Sequence, residues 1–193
     1  MKPQQNLLLA GLIVGIAAQV FLVASRIPYE ADTAIPAAPL VVGDTVHSLA
    51  GSTIDGVAKC VRFTMKTETV TVLYSFHPEC AHCHPVAPAW AKHFSNDSTS
   101  ASYVRRIAVT EASPEAAAAY ARRFGWNVEL LSVSSLEPSD REYFLLSRTP
   151  WVFVFDSGGV LRFHDHGSEL EQIDDAVLTI ASATSRSDYG AIP

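Results

Sequence analysis

The chain has 193 residues, enough for one domain of ordinary size with an appendage. Its 48% hydrophobic and 18% charged side chains exclude a disordered tail. The net charge of −6 and the lack of any lysine- and arginine-rich run exclude a nucleic-acid footprint. Lys2 and Arg26 balance Glu30 and Asp32, so the acidic excess belongs wholly to the chain from Leu40 onward.

Leu7 to Ala24 carries no charge and is about as long as a helix that crosses the apolar core of a bilayer. Residues 1–25 therefore read as an N-terminal transmembrane anchor or as a cleaved secretory signal, for which Val23-Ala24-Ser25 supplies small residues near a cut. The apolar run is longer than the ~7–15 residues of a signal core, which favours the anchor. Either way the rest of the chain is expected on the periplasmic or extracytoplasmic side of the cytoplasmic membrane, single-pass if anchored. Residues 26–40, with Pro28, Pro36 and Pro39, read as a semi-extended linker, residues 41–183 as one folded domain and 184–193 as a tail.

Val41 to Leu49 and Val57 to Phe63 read as extended pieces joined by turn formers between Gly51 and Gly56. Thr69 to Phe76 is β-branched and aromatic, as in a strand buried on both faces. A helix over Val86–Phe94 and a strand over Tyr103–Val109 follow. Ser113, Pro114 and Glu115 then open a helix that Gly125 closes, and Val128 to Val133 is the next strand. Trp151–Phe155 and Val160–His164 flank Asp156-Ser-Gly-Gly159 as a hairpin. Ser168 and Glu171 suit a capping box for a last helix with its apolar stripe at Leu170, Ile173 and Val177. Strands alternating with helices predict an α/β fold around a mixed sheet.

Cys80-Ala-His-Cys83 follows the most apolar strand and opens a helix, so both thiols fall within about one turn and can close a small disulfide ring. Free amides and the positive dipole end at a helix start favour a thiolate, which makes Cys80 the expected nucleophile. Cys83, one turn further in, is expected to resolve the mixed disulfide. A protonated His82 between the sulfurs would favour the thiolate, and the negative Glu79 would oppose it. Cys60 reads as a buried structural thiol.

The strand ending at Phe76, Cys80-x-x-Cys83, Pro88, Thr149-Pro150 and the Phe155–Gly159 hairpin together resemble the thioredoxin superfamily, and within it the membrane-anchored redoxins of the TlpA/ResA type. The resemblance covers Val42 to Ala181. It implies a thioredoxin-like three-layer α/β/α fold with a central mixed sheet. It also implies a thiol–disulfide oxidoreductase with no soluble cofactor and no metal, acting as a reductant on a disulfide-containing client protein and recharged by a membrane electron donor. By the same resemblance Pro88 bends the active-site helix, Pro150 is cis, and Thr149 pairs with substrate through its backbone. On bond statistics alone Pro150 would be trans. Where thioredoxin has a buried acid this chain has Tyr74, which leaves the proton acceptor for Cys83 unidentified.

Two rivals use the same residues. Cys80-x-x-Cys83-His84 also fits covalent c-type haem attachment, although no methionine follows the motif to serve as second ligand. Alternatively Cys80 and Cys83 with His77, His82 and His84 supply ligand types suited to copper or zinc. His164 and His166 share a strand face, expected to be a partly exposed edge.

Overall fold

In the computed structural model, which describes Gln19 and residues 37–64, 69–95 and 103–187, the alternating apolar runs form seven strands. These are β1 (Ser48–Ser52), β2 (Ala58–Arg62), β3 (Val70–Ser75), β4 (Val104–Thr110), β5 (Glu129–Ser132), β6 (Trp151–Phe155) and β7 (Leu161–His166). The helices among the described residues are α1 (Cys83–Ser95), α2 (Pro114–Phe124), α3 (Phe144–Ser147) and α4 (Leu170–Ser187), with a 3-10 turn at Arg141–Tyr143 before α3. No helix among the described residues is long and apolar enough to cross a membrane. Apart from Gln19, the expected Leu7–Ala24 span lies outside the described residues.

The strands join in one mixed sheet of order β2-β1-β5-β4-β3-β6-β7. β3, β4 and β5 run parallel, β6 lies antiparallel beside β3, and β7 pairs antiparallel with β6 at the sheet edge. From β3 to β4 to β5 the chain advances in one direction across the sheet. Right-handed crossovers must then place α1 and α2 on the same face. That face is apolar because side chains alternate along each strand: Val72, Tyr74, Val152 and Val154 meet Trp90 and Phe94 of α1, Tyr120 of α2, and Ile173 and Val177 of α4. The intervening Leu73, Phe153 and Phe155 turn to the other face, against Leu40, Val46, Phe63, Leu145 and Leu146. Among the described residues the opposite layer is thus residues 40–46 and the short α3, without a long helix.

All six residues of β3 are buried, as the expected central position requires. The α2 signals act as read: the Ser113 hydroxyl accepts the Ala116 amide at 3.3 Å, and Gly125 closes the helix at φ 68°. Other boundaries differ. Of the expected Val41–Leu49 strand only Thr45 forms an isolated bridge, to Val160, before β1 begins. Gly51 lies inside β1, paired with Lys59, rather than in the turn, and a Cβ there would stand 2.5 Å from the Ser132 carbonyl oxygen of β5. The Ser168–Glu171 box gives way to a local arrangement: α4 starts at Leu170, and the Ser168 hydroxyl donates to Glu169 Oε1 at 2.9 Å and meets His166 Nδ1 at 2.9 Å. Cys60 is exposed, not buried, since β2 is an edge strand on which Val61 turns inward and its neighbour outward.

Candidate active site

The ladder between β3 and β4 runs one residue past β3, where the Phe76 amide donates to the Val109 carbonyl at 3.0 Å, and the chain then leaves the sheet through His77-Pro78-Glu79. Local hydrogen bonds hold this loop. The Cys80 amide donates to the His77 carbonyl at 3.0 Å, the Glu79 amide to His77 Nδ1 at 3.2 Å, and the His84 ring N–H to the Pro78 carbonyl at 2.9 Å. The Cys83 amide closes the turn onto the Cys80 carbonyl at 3.0 Å. Cys80 therefore sits in the turn just ahead of α1, and Cys83 is the first helical residue.

Both cysteines are free thiols, with very different surroundings. Cys80 is partly exposed and donates to the Thr149 carbonyl at 3.6 Å, whereas Cys83 is 1% exposed within the apolar cluster beneath. Partial burial works against ionisation of Cys80. Hydrogen bonds from the side chains of Cys83 and Thr149 and from the Cys83 and His82 amides outweigh it and hold the thiol below its usual 9.0. Burial, reinforced by the nearby Cys80, pushes Cys83 up to about 12. One sulfur is thus eased toward its thiolate and the other is held as the thiol.

The residues singled out in the sequence converge unequally. Thr149–Pro150 is cis and lies against Cys80, as the resemblance implied and bond statistics did not. The His82 side chain is exposed, and it is the backbone amide of this residue that reaches the Cys80 sulfur. Glu79 is exposed at the rim, and Pro88 is exposed on α1. Tyr74 is fully buried, its hydroxyl 2.9 Å from His93 Nδ1, and His93 Nε2 lies 2.7 Å from Asp174 Oδ1.

A groove of about 310 Å³ opens beside Cys80. His77, Glu79 and Thr149 line it near the sulfur; Glu111, just after β4, and Tyr143, Leu146 and Ser147 around α3 form the rest of its wall. Sequence reasoning noted His77 only as a metal-ligand candidate and missed Glu111, Tyr143 and Ser147. A glutamate between a strand and a turn carries no motif, and a one-turn helix leaves no periodicity to read.

The rival readings meet specific obstacles. Haem attachment needs both sulfurs accessible and the His84 ring turned to a metal, yet Cys83 is buried and His84 Nε2 is engaged by the Pro78 carbonyl. Among the described residues no three His, Cys, Asp or Glu side chains converge as a metal site requires.

No family model matches the chain, and no curated protein matches it. Solved structures do. A peroxiredoxin-like protein from Aquifex aeolicus is 16% identical over 74% of this chain and 89% of its own, with a TM-score of 0.57. A putative protein disulfide isomerase from Bacteroides thetaiotaomicron is 14% identical over 73% of this chain and 88% of its own, at 0.59. A putative thiol:disulfide interchange protein DsbE from Chlorobium tepidum is 17% identical over 74% of this chain and 99% of its own, at 0.55. At these identities the likeness is one of fold, and that fold is thioredoxin-like with a central mixed sheet.

Proposed function

We propose that the chain is a thiol–disulfide oxidoreductase that reduces disulfides of extracytoplasmic client proteins through Cys80 and Cys83. The observation that carries this reading is the asymmetry of the pair: an accessible thiol eased toward its thiolate at a helix start, with a buried, protonated partner one turn away. Names carried by proteins of the same fold, a disulfide isomerase and a thiol:disulfide interchange protein among them, support the reaction class.

In the forward half-reaction the Cys80 thiolate attacks one sulfur of the client disulfide. A Cys80–client S–S bond forms, and the client's other sulfur leaves as a thiolate that takes up a proton. Cys83 then gives up its proton and attacks the Cys80 sulfur. The second client thiolate is released, and the chain is left with a Cys80–Cys83 disulfide. The client gains two electrons and the chain loses two, which a membrane dithiol donor restores. Thr149 holds the incoming chain by its backbone beside Pro150, while His82 and Glu79 set the charge around the sulfur. The direction of transfer and the tether through residues 7–24 rest on the resemblance to TlpA/ResA-type redoxins.

The decisive experiment is trapping. Cys83→Ser should accumulate a mixed disulfide between Cys80 and a client, and Cys80→Ser should abolish exchange. Normal turnover by Cys83→Ser would sink the mechanism. A reduction potential near the thioredoxin value of about −270 mV supports the reductant, and one near about −120 mV overturns that direction.

A further inference from the structure

The groove beside Cys80 carries two carboxylates on its walls. Glu79 and Glu111 both line it, both are exposed, and neither is in an ion pair among the described residues. No Lys or Arg lines it. His77 lines it as well, and its Nδ1 accepts the Glu79 amide at 3.2 Å. Arg148, next in sequence to Thr149, is held over the Phe144 ring at 4.9 Å and the Trp151 ring at 5.2 Å and does not line the groove. When Cys80 is a thiolate it brings a third negative charge to the same walls. The hydroxyls of Tyr143 and Ser147 complete a polar wall, and a groove of about 310 Å³ has room for a short extended segment rather than a folded surface.

We propose, resting on the thiol–disulfide exchange reading, that this groove selects an extended client segment whose disulfide-bonded cysteine is flanked by Lys or Arg, the cations lying against Glu79 and Glu111 while the sulfur meets Cys80. The chemistry is the exchange already balanced above, and the carboxylates act by attraction alone. Because they are exposed, the effect belongs to the rate of encounter and is strongest at low salt.

The test uses the full chain in detergent, reduced, with two disulfide-bonded peptides identical except for Lys or Glu on both sides of the reacting cysteine. A small uncharged disulfide serves as the reference substrate. The Lys peptide should be reduced roughly tenfold faster than the Glu peptide at low ionic strength, with the ratio falling below about twofold at 1 M salt. The Glu79→Gln, Glu111→Gln double variant should cut the low-salt ratio at least about threefold. An Asp55→Asn, Asp175→Asn variant removes the same charge from exposed acids outside the groove and should leave the ratio in place. Equal rates with the two peptides, while the uncharged disulfide is reduced, would overturn the selectivity and spare the exchange reading. So would an equal loss of ratio from the Asp55, Asp175 pair. Failure to reduce any of the three disulfides would overturn both.

Discussion

The Trp90 indole donates to the Gly167 carbonyl at 2.7 Å, which fastens the middle of α1 to the turn between β7 and α4. The same glycine donates its amide to the Pro150 carbonyl at 3.1 Å, so one residue touches both the helix carrying Cys83 and the segment carrying Thr149. A Cβ on Gly167 would collide with the Trp90 ring and stand 3.3 Å from Pro150 Cβ. Gly167 is not among the positive-φ glycines, so the cost of a side chain here is steric. Gly167→Ala should lower stability by about 1–3 kcal/mol, the usual range for overfilling a packed site. A lower urea midpoint at unchanged slope checks it; an unchanged midpoint would mean the turn moves freely away from Trp90.

That clamp also marks where sequence reasoning stopped. The run Thr69–Phe76, the Ser113–Gly125 helix and the hairpin around Asp156 were legible because each states its structure locally, through periodicity, caps or turn residues. Cys80 and Cys83 were singled out by their own motif at a helix start, and the cis Thr149–Pro150 bond was legible through the resemblance. Gly167, Glu111 and Tyr143 were not, because each matters through what the fold brings beside it: Trp90 in one case and the Cys80 groove in the others. Cys60 was misread for a related reason, since an apolar-looking strand at the sheet edge has one face in water.

Tyr74, His93 and Asp174 form a chain of hydrogen bonds from the centre of β3 through α1 to the exposed side of α4. Tyr74 is 0% and His93 7% exposed, so neither can turn to solvent if its partner is lost. His93→Phe takes away the Tyr74 hydroxyl's 2.9 Å ring partner and should cost about 1–3 kcal/mol. Tyr74→Phe removes the other end. If the pair acts as a unit, the double variant will cost less than the sum of the single ones by about 0.5 kcal/mol or more in urea unfolding. Strict additivity would show that the 2.9 Å contact contributes nothing of its own.

Glu129 joins three strands. Its carboxylate accepts from Lys59 of β2 at 2.8 Å and from Arg105 Nε and Nη2 of β4 at 3.1 and 2.9 Å. The contact with Lys59 supports a seam where β1 and β5 share only the Ser52–Ser132 pair. Burial raises the carboxyl, but Lys59 and Arg105 outweigh it and hold it below its ordinary 4.5. Because the folded value is depressed, the stabilisation is present above pH 4.5 and disappears as pH falls through the folded value. Glu129→Gln should cost about 1–2 kcal/mol at pH 7. The difference from the unaltered chain should shrink steadily on acidification, as followed by urea midpoints at pH 7, 5 and 3. A difference that stays constant down to pH 3 would remove the ion pairs as its cause.

The two thiols predict opposite pH dependences for the reduced chain. Cys80 is depressed in the folded state, so its contribution grows as pH rises through its folded value and is complete above the ordinary 9.0. Cys83 is raised to about 12, so between 9.0 and that value the unfolded chain loses a proton that the folded chain keeps, and stability falls. The fall approaches about 1.4 kcal/mol per pH unit. Tyr74 and Tyr120 are also raised by burial and add to the loss at the alkaline end, so the thiol contribution must be taken as a difference. Urea midpoints of the reduced chain and of Cys83→Ser should converge between pH 9 and 10.5, as the reduced chain loses stability that the variant never had to lose. Iodoacetamide labelling supplies the kinetic counterpart: one thiol per chain should react with an inflection below pH 9, and it should be Cys80 once Cys60 is replaced by serine. If Cys83 were labelled first, the buried, proton-holding role given to it here would fall, and the order of attack with it.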